Sequence, residues 1–132
     1  MPPNIDAIFK RFGQENIGPD VVFAYGDTLY VPREGVEIPD HLMAHEETHQ
    51  RQQGDDVEGW WKRYLEDDLF RLNQEIEAYR NQYQFMKSAG YGRAERRRML
   101  DILARDLSSK IYGKIILKKT AKEVISAVRE GD

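Results

Sequence analysis

Two histidines four residues apart, with a glutamate directly after the first, form the segment best suited to chemistry. His45-Glu46-Glu47-Thr48-His49 fits the H-E-x-x-H pattern. In a helix, residues four apart lie on one face, so both imidazoles can present a ring nitrogen to a single metal ion. Glu46 is displaced from that pair and can instead take a proton from a zinc-bound water, whose pKa falls to about 7. The pattern is specific only if the segment is helical.

The sequence around these histidines predicts such a helix. Asp40 is a preferred N-cap residue type, and Gly54 stands where a helix commonly ends, so a helix is expected over 41–53. Two alternatives are a solvated polar helix without metal and a centre that binds metal but catalyses nothing.

A catalytic zinc site needs a third protein ligand and one open position. The chain has three histidines and no cysteine. The remaining histidine, His41, lies one turn before His45, and three ligands along one straight helix cannot converge tetrahedrally on one ion. His41 is therefore the weaker choice, expected to cap the helix or to support the ligands from outside. A carboxylate is the expected third ligand.

A long helix predicted over 67–87 offers two glutamates for this role. Glu75 borders the apolar strip of that helix, whereas Glu77 shares a polar, solvated strip with Asn73. Because a carboxylate beside the buried face can meet the histidine pair, Glu75 is the predicted third ligand. Tyr79, one turn further on, is predicted to hydrogen-bond a ligand or to polarise a substrate carbonyl, with simple core packing as the alternative.

Three stretches carry a resemblance to a known group of enzymes: HEETHQRQQ (45–53), WWKRYLEDDLFRLNQEIEAYRNQY (60–83) and LARDLSSKIYGKII (103–116). The chain resembles gluzincins, in which H-E-x-x-H is completed by the glutamate of a later E-x-x-A, and more narrowly small phage- and prophage-encoded zinc peptidases. The resemblance implies a minimal zincin-like domain over 1–132, with His45, His49 and Glu75 as zinc ligands and Glu46 as the base. Many gluzincins have Asp where this chain has Tyr79.

The predicted fold class is α+β, mostly helical, with a small antiparallel hairpin before the H-E-x-x-H helix. Strands are expected near 21–25 and 28–32, around the turn-forming pair Gly26-Asp27. Further helices are expected over 4–13, 93–107 and 121–129, with an aromatic-rich segment around Trp60 and a strand or turn from Ile111. The hairpin edge can pair with an extended substrate, or the hairpin can merely cover the helical core.

Composition places the chain among single-domain proteins of ordinary makeup. At 132 residues it is long enough for one core, and it has no run of apolar residues that would span a membrane. The N-terminus lacks the pattern of a signal peptide, and without cysteine there is neither a disulfide framework nor a thiolate metal site. The expected location is the cytoplasm, that of the host for a phage-encoded protein, with no membrane partner.

Charge is unevenly distributed along a chain whose net charge is −3. Residues 93–122 carry ten Lys or Arg and only three Asp or Glu, including the cluster Arg93, Arg96, Arg97 and Arg98. This basic segment is a possible surface for nucleic acid. The preferred interpretation is a solvated surface that complements the acidic half of the same chain.

The predicted function is zinc-dependent hydrolysis of a peptide bond in a peptide or protein substrate. Glu46 would deprotonate the attacking water and later protonate the leaving amine, and Tyr79, Tyr64 or Tyr112 would stabilise the oxyanion. The alternatives are a catalytically inactive zinc-binding phage structural or assembly protein and a nucleic-acid-associated protein that uses the basic segment. Two histidines and a glutamate also suit transition metals other than zinc.

Overall fold

The computed structural model describes residues 1–17, 21–31, 34–35, 37–109 and 117–127, and within them the chain is mostly helical. The elements in order are α1 (Ile5–Phe12), a 3₁₀ turn (Gln14–Asn16), β1 (Phe23–Tyr25), β2 (Thr28–Tyr30), α2 (Asp40–Gln53), α3 (Val57–Glu66), α4 (Asp68–Ser88), α5 (Arg93–Leu107) and α6 (Lys118–Ser126). The prediction of a mostly helical protein with a small antiparallel sheet before α2 is confirmed. The predicted strand or turn from Ile111 lies largely outside the described residues.

The hairpin forms where the sequence predicted it, with shorter strands. β1 and β2 are antiparallel, and Ala24 pairs with Leu29. Gly26 lies between the strands with a φ of 61°, a left-handed conformation that favours glycine in a tight turn.

Side chains from two helices hold the outer edge of β1. The carbonyl oxygen of Ala24 accepts hydrogen bonds from Gln53 Nε2 at 2.8 Å and from Trp61 Nε1 at 3.2 Å. The Gly26 amide donates to Gln53 Oε1 at 2.7 Å. A substrate strand pairing at Ala24 would have to displace two hydrogen bonds, so the contacts favour the alternative in which the hairpin covers the helices.

The helix that carries the histidines begins one residue earlier than predicted. Asp40 is its first helical residue and Pro39 is the cap, so the predicted capping role of Asp40 is wrong. An aspartate in the first turn is nevertheless favoured by the helix dipole. Gly54 ends the helix as predicted, with a φ of 51°.

The aromatic-rich segment is a helix of its own, α3, separated from α4 by Asp67. That residue has an extended backbone, and its Oδ1 accepts from the Phe70 amide at 3.0 Å, which caps α4. The chain therefore turns at Asp67, and α3 can fold back beside α4 and α2.

Two apolar clusters lie on either side of the α2–α4 pair. One joins α4, α5 and α6 and contains Met86, Leu107 and Ile125; the other joins α1, the hairpin and α3 and contains Ile8 and Trp60. Between them, α2 and α4 are linked through polar contacts. None of the helices in the described part of the chain combines the length and apolarity needed to cross a bilayer.

Candidate metal centre

Three buried side chains from α2 and α4 converge on one point, and they are the three predicted ligands. His45 Nε2 and His49 Nε2 are 3.2 Å apart. Glu75 Oε1 lies 3.1 Å from His45 Nε2 and 2.7 Å from His49 Nε2. Ligand atoms bound tetrahedrally to zinc at 2.0–2.1 Å would be about 3.3 Å apart. The group, referred to below as the triangle, could therefore hold an ion with only small shifts.

Hydrogen bonds determine which nitrogen of His49 faces the triangle. Gln52 Nε2 donates to the Gln74 carbonyl oxygen and to Glu77 Oε1, both at 3.0 Å. Both partners are acceptors, so Gln52 Oε1 is the atom 2.8 Å from His49 Nδ1, and that nitrogen must donate. In the neutral imidazole, the lone pair then lies on Nε2 and points towards Glu75.

Glu77 was predicted to lie on a solvated face, and that prediction is wrong. The residue is half-buried because the Gln52 side chain reaches across from α2 to its carboxylate. Glu77 does not join the triangle, but it orients the amide that orients His49. This contact depends on the distance between two helices, and the sequence pattern of one helix does not predict that distance.

His45 is held through a second amide. Gln82 Oε1 lies 3.0 Å from His45 Nδ1, and Gln82 Nε2 lies 2.8 Å from His41 Nδ1. With the amide in this orientation, His45 Nδ1 donates and its Nε2 is free to ligate. His41 lies outside the triangle and is connected to it through Gln82.

The second oxygen of Glu75 is engaged by a tyrosine from α3. Tyr64 donates its hydroxyl hydrogen to Glu75 Oε2 at 2.6 Å. Burial and the neighbouring carboxylate hold the pKa of Tyr64 well above its usual value, so the phenol keeps that hydrogen. Burial opposes the charged form of Glu75, but the two imidazoles outweigh it and lower the pKa of Glu75 well below its usual value.

Arg71 fixes the position of Tyr64. Its guanidinium is fully buried, donates to the Tyr64 carbonyl oxygen at 2.7 Å and lies 5.3 Å from the centre of the Phe12 ring. It also pairs with Asp68 at the start of α4. Tyr64 was one of three tyrosines considered for oxyanion stabilisation. Its observed hydrogen bond is to Glu75, a contact that depends on how α3 packs against α4 and that no sequence pattern predicts.

A cavity of about 120 Å³ lies beside the triangle, and Glu46 is one of the residues that line it. Glu46 is only 6% exposed, and its carboxylate has no hydrogen-bond partner among the described residues. Burial raises its pKa, the imidazoles of His45 and His49 lower it, and the nearby Glu75 raises it, with a net increase. A buried carboxylate with a raised pKa is a stronger proton acceptor than an exposed one.

Tyr79 lies beside the triangle and packs against one of its rings. Its ring packs edge-on against the His45 ring, with 4.5 Å between the ring centres. It belongs to the buried cluster around Met86 and is not among the described residues that line the cavity. The alternative of core packing, here as a support for a ligand ring, fits these contacts better. Tyr112 lies outside the described residues.

The metal-free protein is expected to lose stability as the pH rises from about 6.5 to about 9. Burial alone would lower the pKa of His49, but chiefly the charge and hydrogen bond of Glu75 raise it to about 9. A folded-state pKa above the unfolded value stabilises the fold fully below the unfolded value, and this contribution disappears as the pH passes the folded one. Melting temperatures measured in chelator across this range test the expectation.

Glu75→Gln provides the control for this pH series. Without the carboxylate the pKa of His49 should return towards its usual value, and the decline between pH 6.5 and 9 should flatten. Zinc-loaded protein should also lack the decline, because the ion takes the place of the proton. A metal-free wild type equally stable at both ends of the range would contradict the expectation.

Replacing Gln52 with leucine is expected to weaken zinc binding by about 10- to 100-fold. The His49 Nδ1 hydrogen would lose its acceptor, and the ring would no longer be held with Nε2 towards the triangle. Competition titration with a chelator of known affinity measures the change. The matched control is Gln50→Leu on the same helix, because the Gln50 amide makes no hydrogen bond within the described chain. Equal affinity in the two variants would show that Gln52 does not orient the ligand.

Several cations of the basic segment 93–122 are paired within the protein. The Asp101 carboxylate on α5 forms ion pairs with Lys118 at 2.7 Å, Lys122 at 3.1 Å and Arg105 at 3.1 Å. The two lysine contacts join α5 to α6, and the contact with Arg105 lies within α5. They agree with the interpretation of this segment as a surface balanced in cis, although Asp101 belongs to the segment itself and not to the acidic half.

Searches of protein-family models, curated proteins and solved structures found no match for this chain. The resemblance to gluzincins, drawn from the H-E-x-x-H pattern and the later glutamate, therefore stays a prediction.

Proposed function

We propose that this chain is a zinc-dependent peptidase with a minimal zincin-like fold. The observation that supports it most is the convergence of His45 Nε2, His49 Nε2 and Glu75 Oε1 within 3.2 Å of one another. With both Nδ1 atoms donating outward, two Nε2 atoms and a carboxylate oxygen face each other, and a bound cation would satisfy all three, in place of the proton that His49 carries in the metal-free protein. Two nitrogens and one carboxylate oxygen are a ligand set of catalytic zinc sites, which keep one position open.

The protein's own residues can then be assigned roles. Bound zinc would supply a Lewis acid and lower the pKa of water to about 7. Gln52 and Gln82 keep the imidazoles in the ligating tautomer, and Tyr64 keeps Glu75 in place. Glu46, beside the cavity, accepts a proton from the water that attacks the peptide carbonyl and returns it to the leaving amine.

A metal centre that only stabilises the fold is the second candidate, because all three ligands are 2% to 6% exposed. Glu46 favours the catalytic function. Keeping the Glu46 carboxylate largely out of water without a hydrogen bond from the described residues costs free energy, and a purely structural centre gains nothing from it. A general base beside the reacting water needs such a carboxylate.

Metal analysis and a peptide-library assay test the proposal together. Protein purified without added metal or chelator should contain about one zinc per chain, as one three-ligand site requires. Incubation with a diverse peptide library, read by mass spectrometry, should yield new termini that disappear with chelator and return with zinc. A folded protein that takes up no zinc, or cleavage that is insensitive to chelator, would refute the proposal.

A further inference from the structure

We propose that the cavity beside Glu46 binds a branched aliphatic side chain of leucine or isoleucine size, supplied by the substrate residue next to the bond that is cut. This inference rests on the proposed peptidase function and adds a substrate class to it. The walls, the size and the position of the cavity support it.

The walls are apolar away from the metal centre. They include Ile8, Phe12, Val22, Ala24, Trp60 and Trp61. The polar atoms of the aromatic rings are already used: Trp60 Nε1 donates to Gln74, Trp61 Nε1 to the Ala24 carbonyl, and the Tyr64 hydroxyl to Glu75. A charged or amide side chain placed among these apolar groups would lose its water and find no free ring donor, which costs several kcal/mol.

The size of the cavity selects among apolar side chains. Its volume is about 120 Å³. An apolar protein cavity of about 150 Å³ holds a benzene molecule, so this one suits four carbons better than an aromatic ring. Alanine would leave most of the space unfilled. A single methylene can change kcat/KM by roughly 10- to 200-fold in a hydrophobic pocket, so leucine should exceed alanine by at least about 30-fold.

The position of the cavity links its occupant to the reaction. The three triangle residues and Glu46 line the same cavity as the apolar side chains, among them Ile8 and Phe12 of α1. A side chain that fills this small space would hold its own backbone close to the triangle and to Glu46. The bond next to that residue then lies beside Glu46, which is the geometry that cleavage requires.

Binding is measured first, without catalysis. Trp60 and Trp61 are the two tryptophans of the chain and both line the cavity, so intrinsic fluorescence reports its occupancy. Metal-free wild type, kept in chelator, is titrated with N-acetyl-leucine amide and, as controls, N-acetyl-glycine amide and N-acetyl-aspartate amide. A saturable change with the leucine compound alone supports the inference. No saturable change with it, or equal responses to all three, overturns it.

Two variants that place a larger side chain in the cavity test whether the leucine compound binds there. Ala24→Leu and Val22→Phe should each weaken the leucine response at least tenfold. Val22 is half-buried, whereas Ala24 is 2% exposed, so Val22→Phe serves if Ala24→Leu does not fold. Unchanged leucine binding in a folded variant would place the ligand elsewhere and overturn the inference.

The cleavage profile separates failure of this inference from failure of the proposed function. Zinc-loaded wild type and Val22→Phe are given the same peptide library. The inference is supported if the wild type prefers leucine or isoleucine at one substrate position next to the cut. Val22→Phe should instead prefer alanine or glycine at that position. Cleavage without such a preference overturns it and leaves the peptidase intact. Absence of cleavage, with leucine binding preserved, refutes the peptidase while the aliphatic site stands.

Discussion

Replacing Glu46 with glutamine is expected to leave zinc bound and to reduce peptide hydrolysis by at least about 100-fold. Glutamine has nearly the same shape as glutamate but cannot take a proton from water. Glu46 makes no hydrogen bond to the triangle, so its loss should not disturb the three proposed ligands. The rate is measured on a library peptide cut by the wild type, and zinc is measured on the same preparation.

Glu47→Gln is the matched control for this experiment. It makes the same change of charge one residue further along α2, at an exposed position. The Glu47 variant should hydrolyse the peptide at the wild-type rate. If Glu46→Gln retains full activity, Glu46 is not the base. If it loses zinc in step with activity, Glu46 acts on the metal and the proposed division between ligands and base is wrong.

The second large effect is expected at the carboxylate ligand. Glu75→Gln should weaken zinc binding by more than about 100-fold, because groups that merely support a ligand are already worth 10- to 100-fold. The substitution removes the negative charge and leaves the two imidazoles without an anionic partner. Glutamine can still accept the Tyr64 hydrogen bond, so the fold should survive. Zinc per chain after gel filtration, with circular dichroism for folding, measures both.

Glu77→Gln tests whether this effect is specific to position 75. It lies two residues further along α4, and its amide oxygen can still accept from Gln52 Nε2. This variant should keep about one zinc per chain, the content expected of a single site. Zinc retained in Glu75→Gln would require another third ligand, with His41 as the first to examine. Equal loss in both variants would point to the charge of α4 and not to a direct ligand.

Local patterns were sufficient to predict the centre of the site. Spacing alone put His45 and His49 on one face, and helical phase alone distinguished Glu75 from Glu77 as the carboxylate nearer the buried side. Both inferences use distances within one helix, which its pitch determines. The structure places all three residues in the triangle.

The supporting contacts could not be predicted because they depend on how separate helices pack. Gln52 is one of several glutamines after His49, and nothing in the pattern marks it as the partner of Glu77. Tyr64 reaches Glu75 only because the chain turns at Asp67. That turn had a signal, a good N-cap residue before an apolar run, but the sequence predicted a helix beginning at 67 and left the aromatic-rich segment around Trp60 without defined structure.

The fold was predicted most accurately where glycine or charge marks a boundary. Gly54 ends α2, and the basic helix α5 has the predicted bounds. Helix starts were less accurate: α2 begins at Asp40, the residue predicted as its cap, because Pro39 already has the extended backbone of a capping residue. A proline before a helix suits that conformation, and Asp40 then contributes through the dipole.

The hydrogen bond from Tyr64 also affects which metal ions this protein can bind in a cell. Because the phenol engages Glu75 Oε2, the carboxylate has one oxygen left for an ion. Ca²⁺ requires six to eight oxygen ligands and Mg²⁺ an octahedral oxygen shell, so neither is satisfied by two nitrogens and one oxygen. The centre is therefore expected to discriminate against these abundant hard cations and to rank softer ions by intrinsic affinity. Tyr64 would thus contribute to the selection against hard cations without contacting the ion itself.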